Sequence, residues 1–181
     1  MSVIDTSAWK EFRVVELFEH IERGKGRNLT SLIDGDIPYI GASCINNGLV
    51  RFVENPDGTM ISKGNCIVLI ANGYAGRNTY QANDFIGTSD VQLAYHSRIN
   101  QYNGLFLVAC LDKSVERYNY SYTWKRTSKA LQEETVFLPA TSTGKPDWEY
   151  MESVMREYTE QRNHALDTLI TLGGGDGISN N

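Results

Sequence analysis

The sequence predicts a mixed α/β fold: one domain built on a mixed sheet, followed by a long C-terminal helix. Three observations carry this. Cys66-Ile67-Val68-Leu69-Ile70 is an unbroken apolar run of strand length, residues 103–111 (NGLFLVACL) form an apolar run of helix length, and the segment after Pro146 spaces its apolar residues as a heptad. A chain of 181 residues with 41% apolar residues buries one ordinary core with an appendage to spare.

In chain order, residues 9–22 (WKEFRVVELFEHIE) space Phe12, Val15 and Phe18 as a strand leading into a short helical turn that ends at Gly24. Gly24-Lys25-Gly26-Arg27-Asn28 reads as a basic flexible loop. Residues 37–40 and 49–53 read as two strands joined by a tight hairpin turn at Asn46-Asn47-Gly48, and Asn55-Pro56-Asp57-Gly58 as a second turn. The run at 66–70 fits a central strand buried on both faces and stops at Asn72-Gly73. Residues 90–95 alternate as a strand does, and residues 103–111 follow as a buried helix. Tyr118, Tyr120, Tyr122 and Trp124 recur at every second position and share one face if that segment is extended. Val136-Phe137-Leu138-Pro139 closes the sheet as a short strand.

Beyond Pro146, Asp147 is available as N-cap, and Met151, Met155, Tyr158, Arg162, Ala165, Leu169 and Leu172 follow at alternating steps of four and three. At 1.5 Å per residue, residues 147–172 make an arm of roughly 39 Å. Its narrow apolar stripe calls for a partner helix, unless the helix lies on its own domain as a cap. The expected division is a domain over 1–146, the helix over 147–172 and a flexible glycine-rich tail over 173–181.

Net charge is −5 and the sequence pI about 5.2, which by themselves argue against nucleic acid. The charge is segregated, however. Lys113, Arg117, Lys125, Arg126 and Lys129 face a single acid, Glu116, within residues 113–129, while residues 147–172 are acid-rich. The three cysteines, Cys44, Cys66 and Cys110, are widely spaced among apolar or small residues and are expected to be small buried side chains in a reducing compartment. No run of 18 apolar residues and no signal-peptide pattern occurs, so a soluble cytoplasmic protein without membrane contact is expected.

No catalytic site suggests itself. Neither the cysteines nor His20, His96 and His164 form a nucleophile and base with an orienting third group, no Cys or His spacing suits a metal, and neither glycine-containing loop matches a phosphate-binding motif. The residues that could read nucleic acid are instead Lys25, Arg27 and Asn28 in one loop, and Asn72, Tyr74, Arg77 and Asn78 in another. Glycine there allows close backbone approach, and Arg and Asn suit guanine and adenine edges in the major groove. Tyr122, Trp124, Lys125, Arg126 and Lys129 add aromatic rings and phosphate-binding cations. Either loop taken alone also reads as an ordinary turn with a solvated arginine, and the aromatic face reads as core before base-stacking, which leaves the Lys and Arg cluster as the contact to the nucleic-acid backbone.

Several stretches, read in order, resemble the target-recognition domain of type I restriction-modification specificity subunits. They are Trp9-Lys10-Glu11-Phe12 with Leu17-Phe18, Gly35-Asp36-Ile37-Pro38-Tyr39-Ile40-Gly41-Ala42, Asn46-Asn47-Gly48, Tyr118-Asn119-Tyr120-Ser121-Tyr122, and Phe137-Leu138-Pro139 before Gly144-Lys145-Pro146-Asp147. The resemblance implies a recognition domain that inserts loops into the major groove of double-stranded DNA and a helix that packs antiparallel on another such helix. Family members usually carry two recognition domains, so a chain with one is expected to act as a half subunit, pairing as a homodimer that reads an interrupted palindrome. Methylation and cleavage would belong to methyltransferase and restriction subunits. The chain itself would need no cofactor, S-adenosylmethionine being held by the methyltransferase. The competing expectation is an adaptor that binds the methyltransferase through its helix and does not read DNA.

Overall fold

The computed structural model describes residues 4–55, 58–121 and 123–173. Its strands are β1 (Lys10–Arg13), β2 (His20–Arg23), β3 (Asp34–Ile40), β4 (Leu49–Val53), β5 (Cys66–Ile70), β6 (Asn78–Gln81), β7 (Ile86–Gly87), β8 (Val91–Tyr95) and β9 (Thr135–Leu138). Its α-helices are α1 (Gln101–Val115), α2 (Ser128–Glu133) and α3 (Trp148–Gly173). The sheet is divided into three: an antiparallel four-stranded sheet in the order β2-β8-β5-β6, a mixed three-stranded sheet β4-β3-β7, and a two-stranded ladder of β1 and β9.

The unbroken apolar run of β5 is explained by two covered faces. Ile67 and Leu69 point into the larger core, against Phe106, Leu107 and Leu111 of α1, while Cys66, Val68 and Ile70 point the other way, against Ile40 of the three-stranded sheet and Phe85 just before β7. Helix α1 starts at Asn100, whose side-chain oxygen accepts from Tyr102 N (2.9 Å) and Asn103 N (3.1 Å), while Asn103 Oδ1 accepts from Asn100 N (2.8 Å). Gly104 lets α1 approach β6, since a Cβ there would sit 2.6 Å from the Tyr80 ring.

Four local expectations change. Residues 20–23, expected within a helical turn, form β2, an edge strand whose outer side needs no apolar pattern; the helical turn itself is a 3₁₀ turn over Val14–Leu17. The tight hairpin is a longer connection over residues 41–48, closed by Gly41 N–H donating to Gly48 O (2.9 Å), with Asn46, Asn47 and Gly48 at φ 50, 53 and 81°. The alternating aromatics do not form a strand: Asn119 takes φ 49°, the Tyr118 and Tyr120 rings stack at 5.8 Å, Trp124 is 66% exposed, and Tyr122 lies outside the described residues. Strand β9 closes a ladder with β1 rather than the main sheet. Of the turn at residues 55–58, Pro56 and Asp57 lie outside the described residues, and Gly58 N donates to Asn55 O (3.0 Å).

Cys66 is buried and Cys110 half-buried, and burial pushes both thiols up to about 12; Cys44, expected to be buried, is exposed. Among the described residues no helix is long and apolar enough to cross a membrane.

Helix α3 is capped by Asp147, whose Oδ1 accepts from Tyr150 N (3.0 Å). Its two halves differ. Trp148 and Met151 are buried in the core, Trp148 stacks on His96 at 4.7 Å, Asn100 Nδ2 donates to Glu152 (2.7 Å), and Arg156 covers the Tyr102 ring at 4.3 Å. Residues 160–171 of the helix are exposed. The first half thus caps its own domain, so Met151, expected on a seam with a partner, is consumed by its own core, with Met155 packed beside it.

Candidate nucleic-acid interface

Antiparallel pairing puts the C-terminal ends of β2 and β5 beside the start of β8, with Arg23 opposite Gln92 and Ile70 opposite Val91. The loops 24–28, 71–77 and 88–90 therefore leave the same end of the sheet. Close backbone contact fixes them to one another. Gly24 N donates to Val91 O (3.1 Å) and Gly26 N to Gly87 O (2.7 Å), and a Cβ on Gly24 would sit 2.1 Å from the Thr88 carbonyl oxygen. Loop 24–28, expected to be flexible, is seated on its neighbour. Arg23 Nε donates to Ser89 O (2.5 Å) and Asn72 Nδ2 to Asp90 Oδ1 (2.5 Å).

Two clefts open between these loops and meet at Ser89. One, of about 370 Å³, is lined by Arg23, Asn72, Gln92, Lys125 and Ser128 together with Glu22. The other, of about 440 Å³, is lined by Arg27, Asn28, Tyr39, Val50 and Asp90. The structure thereby brings Arg27, Asn28, Asn72 and Lys125 to one continuous surface. Lys25 borders it, ion-paired to Glu22 at 3.2 Å. Arg27 is exposed while its carbonyl accepts from Tyr39 Oη (2.6 Å), and Asn28 Oδ1 accepts from Thr30 N (3.2 Å), capping the 3₁₀ turn Leu29–Ser31. Tyr74 is 51% exposed, and Arg77 is half-exposed with Nη1 3.5 Å from Asp112. Lys129 is exposed on the first turn of α2.

Two expected contacts are turned inward. Arg126 is fully buried: Nε donates to Glu134 Oε2 (2.8 Å), Nη2 to Glu134 Oε1, and Nη1 to Asn78 Oδ1 (2.7 Å). Asn78 is 3% exposed, and its backbone N and Nδ2 both donate to Asp112 Oδ1, at 2.9 and 2.7 Å. Neither side chain can meet DNA, because each is spent on satisfying buried partners. Tyr120 completes the cluster, donating to Glu134 Oε2 at 3.1 Å, and burial with this carboxylate alongside pushes its phenol up.

The basic cluster read from 113–129 is correspondingly thinner than its count. Lys113 pairs with Glu116 at 2.6 Å, Arg117 with Glu11 at 3.2 Å and Arg126 with Glu134, so three of its five cations are drawn to acids. Sequence reading missed Arg23, Ser89, Gln92 and Ser128. They became visible only through the unrecognised β2 and the cleft its end forms.

On the outer half of α3, Leu166, Leu169 and Ile170 are 57, 68 and 65% exposed, so the apolar stripe is broader than the expected Ala165, Leu169 and Leu172. The Leu172 side chain lies outside the described residues. Arg162, the polar member of the stripe, donates to Tyr158 Oη from Nε and Nη2 (3.0 and 2.7 Å). Among the described residues no group of three or more His, Cys, Asp or Glu is placed to hold a metal ion.

The model of the type I restriction modification DNA specificity domain matches residues 6–168. The specificity subunit S.BcgI of a type II restriction enzyme from Heyndrickxia coagulans is 27% identical over 150 residues, covering 82% of this chain and 42% of its own length. The S subunit of a type I restriction-modification system from M. genitalium superposes with a TM-score of 0.57 at 20% identity, over 92% of this chain and 44% of its own. The HsdS subunit from Thermoanaerobacter tengcongensis gives 0.58 at 13% identity, over 96% and 42%. The chain thus spans less than half the length of these relatives.

Proposed function

Because the chain belongs to the type I restriction modification DNA specificity domain family, we propose that it reads double-stranded DNA as the specificity component of a methyltransferase complex. The observation that carries this is the meeting of loops 24–28, 71–77 and 88–90 with segment 124–128 at one end of the sheet. That end offers Arg, Asn, Lys and Ser side chains on a braced backbone. Arg27 and Arg77 are the candidates for guanine edges, Asn28 and Asn72 for adenine edges, and Lys25, Lys125 and Lys129 for phosphates. Tyr74 and Trp124 flank them as exposed rings. Methyl transfer and cleavage belong to partner subunits, and S-adenosylmethionine to the methyltransferase.

The exposed stripe of α3 supplies the second half of the proposal. Leu166, Leu169 and Ile170, with Ala165, seek a helix of like pattern, and a second copy offers one in antiparallel register. The resulting homodimer would place recognition units at opposite ends of the paired arms and read an interrupted palindrome in the cytoplasm.

The test is binding of the purified chain to duplex DNA across a salt series, alone and with a methyltransferase. A duplex selected from a randomised library should bind more tightly than a scrambled one, with affinity falling as salt rises. Arg27→Ala and Arg77→Ala should each narrow that gap by about 1–3 kcal/mol. Methyltransferase capture with no DNA binding at any salt would identify an adaptor instead.

A further inference from the structure

The buried cluster beneath the reading surface has a geometry that core stability alone does not require. A guanidinium is a planar fork that can grip two acceptors in fixed directions. Arg126 grips Glu134 with Nε and Nη2, and Asn78 with Nη1. Its backbone adds two further ties, N–H donating to Ala71 O at 3.2 Å and the carbonyl accepting from Gln92 Nε2 at 3.5 Å. Asn78 in turn donates to Gly76 O (3.0 Å) and is held to α1 by Asp112. Arg126 therefore joins the two ends of loop 71–77 to the segment that carries Trp124 and Lys125, its side chain reaching Asn78 at one end and its backbone N–H reaching Ala71 at the other. That segment is itself closed, Ser121 N–H donating to Trp124 O at 3.0 Å and Trp124 N–H to Ser121 Oγ at 3.1 Å. On the far side Thr127 caps α2 through Ala130 N.

Resting on the DNA-reading function above, we propose that Arg126, held by Glu134 and Asn78, is the positioning residue that fixes segment 123–128 against loop 71–77. Asn72, Arg77, Trp124 and Lys125 then meet DNA as one rigid surface. Apolar residues of similar volume would stabilise the core as well or better, because a buried ion pair repays little beyond its desolvation. What they would not supply is direction: hydrophobic contact has no preferred angle, so both loops would drift within their tethers.

The experiment compares the wild-type chain with the double variant Arg126→Met/Glu134→Leu, which removes the pair without stranding a charge, and with the milder Arg126→Lys, which keeps charge opposite Glu134 but cannot fork to Asn78. Amide hydrogen exchange is read first. Amides of 71–77 and 123–128 should speed up together, by about tenfold or more, while those of β5 and α1 hold. Each variant is then titrated with the library-selected duplex and its scrambled partner. The preference for the selected duplex should fall roughly tenfold, with scrambled-duplex affinity and its salt slope unchanged.

Exchange that stays at wild-type rates in both loops, or rises in one alone, overturns the coupling. Loosened loops with undiminished preference overturn the positioning role. If the double variant does not fold, Arg126→Lys decides by the same two readings. A wild-type chain that binds no DNA sinks the reading function itself, and exchange alone then decides whether the two loops are coupled.

Discussion

A guanidinium with no exposed surface and a lysine beside it that lines a cleft show how little sequence adjacency says about the destiny of a side chain. Lys125, Arg126 and Lys129 read as one phosphate patch, and nothing in their spacing reveals that the middle one points inward. The missing information is its partner: Glu134 lies across the short helix α2, and Asn78 is remote in sequence. Removing one member strands a buried charge, so Arg126→Ala and Glu134→Ala should each cost about 3–5 kcal/mol in urea unfolding, far more than Lys125→Ala at the cleft rim. Surface acids contribute to the acid sensitivity of the fold. Glu11 is held below its ordinary 4.5 by the Thr135 hydroxyl and Arg117, Glu19 by Ser97, Glu152 by Arg156 and Asn100, and Asp84 below 3.8 by Lys63 and Gly64 N–H. For a carboxylate with a depressed folded value, the stabilisation is present above the unfolded value and lost as pH falls through the folded one. The chain should therefore hold its stability down to about pH 4.5 and lose it progressively below, as denaturant midpoints at stepped pH would show.

Elements with a strong period were legible and those without were not. The continuous run of β5, the apolar α1 and the heptad of α3 each force one solution, because an apolar face must be covered. Strand β2 escapes because a half-exposed edge strand needs no alternation, and it is β2 whose end opens the reading cleft. Helix α3 was legible in extent but not in its division, since the same heptad serves first its own domain and then open solvent. Met151→Ala, fully buried, should cost about 2–4 kcal/mol of unfolding free energy. Leu169→Ala, 68% exposed, should leave the unfolding midpoint of the unassociated chain within about 0.5 kcal/mol. Chemical denaturation of both variants at low protein concentration checks the contrast; equal losses would mean that the outer half is also packed.

For the whole molecule, association is the property that the sequence could suggest but a lone chain cannot display. The expected assembly is a dimer at tens of micromolar by sedimentation, with Leu169→Asp sedimenting as a monomer while keeping its fold. A monomer in both cases would assign the stripe to a different chain. The mixed α/β architecture followed from patterning, whereas its division into three sheets depends on pairings between distant segments that no local signal announces. The β1·β9 ladder is the extreme case: Thr135 bonds Glu11 at 2.6 Å across 124 residues, and Val14 N–H reaches Glu134 O at 2.8 Å. During synthesis, β1 emerges first and must wait for its partner strand. At ordinary elongation speeds of 5–20 residues per second that wait is roughly 6–25 s. Val14 and Leu17, fully enclosed in the finished domain, spend it beside an unpaired strand edge. The risk of mispairing therefore falls on β1, which is sealed only when β9 arrives, immediately before α3 is made.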